Sequence, residues 1–192
     1  LLEKKKKKQQ HKRNYKKFEP NIIDKLLFIG DVSLGAISYK PAIDTIKSKN
    51  IPIELKDAKT IKKEILDKNT FSSIRVAIDM YKSFSPAGGA RQKMILNYNK
   101  KENIFYIGKE EKKYKALIVK IDESEKSGYG VDGITEYIYS KIAKKCGINI
   151  TNTYLFEDDD GYKHCAIERF DIDKDNNRLH AHTLAGLLHS EK

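Results

Sequence analysis

The chain is 192 residues long, 39% hydrophobic and 34% charged, and its 38 Lys and Arg against 27 Asp and Glu give a formal charge of +11 at pH 7. That length suits one domain or two small ones, and apolar clusters running from Ile22 to Leu188 supply a core, which excludes wholesale disorder. No apolar run approaches the ~20 residues that span a bilayer, and the basic N-terminus has no apolar stretch behind it, so no membrane partner and a cytoplasmic setting are expected.

The charge is concentrated. Leu1 to Lys17 holds nine bases and one acid, for +8, and leaves only +3 on the remaining 175 residues. A run such as Lys4 to Lys8 is usually a solvated segment, and less often an arm that meets nucleic acid. Cys146 and Cys165 stand far apart, so neither a disulfide framework nor a zinc ribbon is indicated. The chain starts at Leu1 rather than Met and stops just after an apolar, helix-like run, which suggests an internal piece of a longer protein.

In chain order, Pro20 suits a first helical turn, and Ile22, Ile23, Leu26 and Leu27 recur at helical spacing, which predicts a helix to Phe28 ended by Gly30. Leu34 to Tyr39 alternates up to Pro41 and reads as a short strand, able to pair with a second one at Ile51 to Leu55. Asp57 is placed to cap a helix carrying Ala58, Ile61, Ile65 and Leu66, and Phe71, Ile74, Ile78 and Tyr81 mark another. Ser83 to Arg91 is a glycine loop. Three strands then follow in a meander: Lys93 to Tyr98, Ile104 to Gly108 and Tyr114 to Ile121.

Lys126 to Gly133 reads as a loop, and Ile134 to Cys146 as a helix with Ile134, Ile138 and Ile142 in line and Gly147 just past its end. Thr151 to Phe156 and Tyr162 to Phe170 flank an Asp158-Asp159-Asp160-Gly161 turn and form a hairpin. Asp171 to Arg178 is polar, and His182 to His189 restarts a helix. The fold class is therefore α+β. The order of glycine loop, three strands, helix and hairpin is that of a protein-kinase small lobe, in which a strand lysine reaches phosphates and pairs with a helix glutamate. Lys120 and Glu136 stand where those roles require.

Each of these features also has an ordinary reading. A glycine pair after Pro is commonly a turn, a lysine closing a strand commonly faces solvent, and Glu136 suits the positive end of any helix. His164, Cys165, His180, His182 and His189 cluster near the C-terminus without a zinc spacing, so no metal site is expected among them. Rossmann, Walker A and Gly-x-Ser-x-Gly fingerprints are absent.

Taken together, Gly88-Gly89-Ala90-Arg91-Gln92-Lys93, Ala116 to Lys120 with Asp122, Tyr129-Gly130, Glu136-Tyr137, Ala143, Gly147-Ile148, Glu168-Arg169-Phe170-Asp171 and Arg178-Leu179-His180 resemble the HipA family of serine/threonine toxin kinases. Leu27 to Pro41 is similar to the segment that precedes the kinase core in that family. The resemblance implies an ATP- and Mg²⁺-dependent kinase acting on a protein hydroxyl, the toxin of a toxin–antitoxin pair held by a HipB-like, DNA-binding antitoxin.

By the same resemblance, Gly88, Gly89, Ala90, Arg91, Gln92 and Lys93 would cradle the ATP phosphates, and Lys120, held by Glu136, would meet the α- and β-phosphates. Glu168, Arg169 and Phe170 would form the link between lobes at the ATP site, the backbone of Glu168 and Phe170 receiving the adenine edge and Phe170 adding an apolar wall. Ser85 or Ser83 would be the autophosphorylated serine, although Ser85 lies one position further from the Gly-Ala pair than the family pattern places it. The catalytic aspartate, the Mg²⁺ ligands and the large helical lobe would lie beyond Lys192, so no catalytic residue is expected in this chain and the piece alone would be inactive.

The implied organisation is a basic arm at 1–19, an N-terminal subdomain at 20–82, a small lobe with hinge at 83–171 and the start of a second lobe at 172–192. The alternative is a catalytically inactive scaffold, or a nucleic-acid module that uses the Lys4 to Lys8 arm. On the ordinary reading, Glu168 to Asp171 is a strand end with a surface Arg-carboxylate pair.

Overall fold

The computed structural model describes residues 21–30, 32–42, 50–55, 93–108, 110–122 and 131–189. The basic arm, the two helices expected between Asp57 and Tyr81, and the glycine loop with Ser83, Ser85 and Gly88 to Gln92 lie outside the described residues.

Helix α1, Ile22–Ile29, opens on a capping box in which Asn21 and Asp24 each accept from the other's backbone N–H, and it ends at Gly30, whose φ of 61° only glycine adopts readily. Asn21, not Pro20, therefore sets its start. The strand expected at Leu34 to Tyr39 does not form. Gly35 takes φ 75°, its N–H bonds a carboxylate oxygen of Asp171, and Tyr39 N–H returns to Gly30 O. Anchoring to buried polar partners here outweighs the alternating pattern.

Six strands form one antiparallel sheet: β1 Ile51–Ile53, β2 Lys93–Asn99, β3 Ile104–Ile107, β4 Lys115–Lys120, β5 Thr153–Glu157 and β6 Lys163–Glu168. Their spatial order is β1-β3-β2-β4-β6-β5. β2 thus lies between β3 and β4, which corrects the simple meander. β1 is shorter than expected and pairs with β3 (Ile51 opposite Ile107), not with the segment before it.

Alternation places Met94, Leu96, Tyr98, Phe105, Ile107, Leu117, Val119 and Ala166 on one face, where with Ile53, Leu55 and Ile121 they form the core. Tyr98, Phe105 and Phe156 meet there with each pair of ring centroids 4.9 Å apart. The opposite face carries Ile95, Ile118, Lys120, Cys165 and Ile167, and helix α2, Val131–Lys145, crosses it over β5 and β6.

Helix α2 begins three residues earlier than predicted and presents a different side to the sheet. Ile138 and Ile142 are about half exposed, while Gly133 and Ser140 are buried, with Ser140 Oγ 2.8 Å from Thr153 Oγ1. A Cβ on Gly133 would overlap Lys163 O, so only glycine lets the helix start this close to β6. The predicted glycine stop is present as a Schellman closure: Ile148 N–H bonds Ala143 O and Gly147 N–H bonds Lys144 O, with Gly147 at φ 82°.

The expected terminal helix is shorter, α3 Leu184–Leu187, capped by Thr183. No described helix is long and apolar enough to cross a membrane.

Candidate functional site

Lys120 closes β4, and Glu136 lies one turn into α2 above the same sheet face. The structure brings them together as an ion pair, Nζ to Oε2 2.7 Å, with both side chains about 30% exposed. Oε2 is buried and receives the ammonium off the hydrogen-bond direction, so the contact is mainly charge on charge. Lys93 stands opposite Lys120 on β2, and Cys165 opposite it on β6. Burial, then the nearby Glu136 carboxylate, pushes the Cys165 thiol to about 11, so it is no nucleophile.

What holds this pair is a chain of buried polar groups that the sequence reading did not identify. Asp122, two residues beyond Lys120, accepts from Gly133 N–H at the first turn of α2, at 3.4 Å. Asp122 N–H donates to His164 Nδ1 at 3.0 Å, and His164 Nε2 lies 3.0 Å from Asp158 Oδ2 in the β5–β6 turn. Because Nδ1 accepts, Nε2 carries the proton and donates to Asp158, which fixes a neutral tautomer. His164 is therefore a structural histidine that ties the hairpin to the end of β4 and the start of α2. Among the described residues no group of three His, Cys, Asp or Glu is placed to hold a metal ion.

Gly133→Ala tests this positioning. The added methyl must push α2 off β6, so a stability loss of ~1–3 kcal/mol in urea unfolding is expected, typical of overpacking at a closed contact. An unchanged unfolding midpoint would show that the helix start is not fixed there.

The Glu168 to Asp171 segment differs from its ordinary reading. Arg169 is buried, not a surface group. Its guanidinium makes a two-pronged contact with Asp171 (Nε to Oδ1 2.9 Å, Nη2 to Oδ2 2.6 Å), and also bonds Glu110 Oε1 at 2.6 Å and Ser33 O at 3.2 Å. Arg169 N–H bonds Ala116 O, which continues the β4–β6 ladder. Glu168 N–H is taken by Asn152 O, its C=O by Thr151 Oγ1, and its carboxylate by Lys115 at 2.9 Å and Asn152 at 2.8 Å. Phe170 is 56% exposed, and its backbone N–H and C=O take no hydrogen bond among the described residues.

A nucleotide fits part of this arrangement. Lys120 offers a cation about 30% exposed, and Phe170 offers backbone groups unengaged among the described residues beside an exposed ring. For Mg²⁺, three carboxylates near the two motifs are already engaged: Asp171 is held by Arg169, Asp122 by Gly133, and Asp173 by the N–H groups of Asp175 and Asn177.

A single antiparallel sheet of α+β class, carrying a strand lysine paired to a glutamate on the next helix, is the kind of protein defined so far. The HipA-like C-terminal domain family matches residues 85–192, more than half of the sequence, and the chain belongs to that family. Its fold is shared over 85% of its length with a chain of the Shewanella oneidensis MR-1 toxin–antitoxin complex of HipA, HipB and operator DNA, at a TM-score of 0.51 and 23% identity. The present chain spans 36% of that longer one. No curated protein matches it.

Proposed function

We propose that this chain is the nucleotide-binding portion of a HipA-like serine/threonine protein kinase, its sheet and α2 serving as a kinase small lobe. The observation that carries the reading is the Lys120–Glu136 pair at 2.7 Å, on the third strand after the glycine loop and on the helix that follows. In protein kinases that pairing places the lysine on the nucleotide phosphates.

In this reading ATP supplies the transferable γ-phosphoryl group. Lys120 holds the α- and β-phosphates, and Glu136 keeps the ammonium from folding away. Gly88 to Lys93 approach the phosphates through backbone N–H groups. Phe170 receives the adenine edge and gives it an apolar wall; the Glu168 backbone, also expected to receive adenine, is already bonded to Asn152 and Thr151, so Glu168 and Arg169 instead fix the strand end that leads into the link. Ser83 and Ser85 are the candidates for self-phosphorylation. The catalytic aspartate and the Mg²⁺ ligands belong to a helical lobe beyond residue 192.

The partners proposed are a protein hydroxyl as substrate and a HipB-like antitoxin that connects the kinase to DNA, a reading supported by the family match. The organisation is likewise proposed, with 1–19 an arm, 20–82 an N-terminal subdomain, 83–171 the small lobe and 172–192 the entry to the second lobe. The test is phosphate transfer from labelled ATP by the complete protein. Transfer to a protein acceptor is expected, and transfer undiminished by Lys120→Ala would overturn the reading.

A further inference from the structure

One groove among the described residues does not touch Lys120 or Glu136. It has a volume of about 950 Å³ and opens at the other end of β4, between the β2–β3 turn, the β3–β4 loop and the Asp173 turn. Lysine is the commonest residue of its lining: Lys100 and Lys101 from the first, Lys112 and Lys113 from the second, Lys174 from the third and Lys115 from the start of β4, against the two carboxylates of Glu168 and Asp173. Lys113 is tied to Glu111 and Lys115 to Glu168. Lys100, Lys101, Lys112 and Lys174 are exposed and make no ion pair within 4 Å among the described residues, although Lys112 lies near enough to Asp173 to help hold that carboxyl down.

Like charges that merely solubilise a surface repel one another and need no common concavity. These come from three separate turns onto one groove, and the turns are built rigidly. Asn99 Oδ1 accepts from Lys101 and Glu102 N–H, and Asp173 Oδ1 accepts from Asp175 and Asn177 N–H. The loop between them is tied by Arg178 and Arg169 to Glu110, at 3.1 and 2.6 Å. The ammonium groups are therefore presented on fixed backbone, which reduces the ordering cost of meeting a polyanion.

We infer that this groove is a docking surface for the phosphate backbone of duplex DNA. The aromatic lining decides between duplex and single strand. Proteins that hold single strands stack bases on free aromatic faces. Tyr114 has none to offer: one face stacks on Tyr106 with centroids 5.1 Å apart, and Lys113 Nζ lies 4.7 Å from the same ring's centroid. Tyr98 is buried in the core. What the groove presents is positive charge without a base platform, and that matches a duplex read by its backbone, independent of sequence. The groove shares Glu168 and Arg169 with the proposed nucleotide site, but none of the four unpaired lysines belongs to that site, so the inference does not require the kinase reading.

The test is a fluorescence-anisotropy titration of the complete chain with a duplex of ~30 base pairs, from ~50 to ~200 mM salt. It compares the parent with the variant Lys100→Glu, Lys101→Glu, Lys112→Glu, Lys174→Glu. Both are repeated with Lys4 to Lys8 replaced by Gln, so that the arm cannot supply the signal. All four groove positions are exposed, and circular dichroism checks that the variant keeps its fold.

In both backgrounds the groove variant is expected to lose affinity, and its log Kd against log salt slope to fall by about 3 to 4, near 0.9 for each lost phosphate contact. An unchanged slope would overturn the inference. So would equal binding of a single strand of the same length, or equal displacement by poly-glutamate, which would make the groove a general anion surface.

Discussion

Replacing Arg169 with Ala is expected to cost ~3–5 kcal/mol of stability, because it removes one partner of a buried ion pair and leaves Asp171 charged and uncompensated in the interior. Arg169 and Asp171 are 4% and 1% exposed, and the guanidinium also satisfies Glu110 Oε1 and Ser33 O. One side chain thus joins four separated parts of the chain: the turn after α1, the β3–β4 loop, the end of β6 and the turn that follows. Urea unfolding of Arg169→Ala, Asp171→Asn and the double variant would give the coupling. The double is expected to be less damaging than the sum of the singles, since it leaves no buried charge unmatched. Additive losses would show that the two groups act independently.

The same pair sets a pH dependence. Burial by itself would raise the Asp171 carboxyl, but hydrogen bonds from Arg169 and from Gly35 N–H outweigh it and hold the group below its ordinary 3.8. A carboxyl lowered on folding stabilises fully above its unfolded value and loses that contribution as pH falls through the folded one. Acid unfolding should therefore steepen below about pH 4, and Asp171→Asn should flatten that region. An identical acid limb in the variant would remove Asp171 from the explanation.

The strands from Lys93 onward, and the helix read over Ile134 to Cys146 and found over Val131–Lys145 with its glycine stop, were legible because each depends on local spacing, whereas the pairing of Lys120 with Glu136 was expected from the order of elements in a kinase small lobe. Alternation around Met94, Leu96 and Leu117, Val119 marks a buried face whatever the neighbours are. Features fixed by distant partners were not legible. Leu34 to Tyr39 alternates like a strand, yet Gly35 is drawn to Asp171, 136 residues away. Ile134, Ile138 and Ile142 line up as a packing face would, but the close approach is made by Gly133 and Ser140, and smallness leaves no hydrophobic signal. His164 belonged in sequence to a histidine-rich stretch, and only the fold shows it spent on Asp122 and Asp158. For Arg169, a charge two residues from a carboxylate looked like a surface pair. The contacts with Glu110 and Ser33 that change its meaning come from other parts of the chain.

Lys120→Ala in the complete protein is expected to lower phosphate transfer by ~10²–10³-fold, the usual cost of removing one charge preorganised on a reacting group. The structure makes this readable as function rather than as unfolding. Lys120 and Glu136 are each about 30% exposed, so solvent screens part of their pairing, but Glu136 Oε2 is buried and would lose its cation, so a stability loss of ~1–3 kcal/mol is expected. Unfolding midpoints of parent and variant therefore show that the protein remains folded while activity collapses.

Glu136→Gln should lose less than Lys120→Ala, because it keeps the cation and removes only the charge that positions it. Lys120→Arg should not restore transfer, since a planar guanidinium cannot occupy the place of a compact ammonium at 2.7 Å from a buried carboxylate oxygen. Binding of a fluorescent ATP analogue by the same variants separates holding the nucleotide from using it. Weakened binding together with lost transfer would assign Lys120 to the phosphates of the bound state, and lost transfer with intact binding would assign it to the transition state. Intact binding and intact transfer would leave the Lys120–Glu136 pair as no more than a tie between β4 and α2.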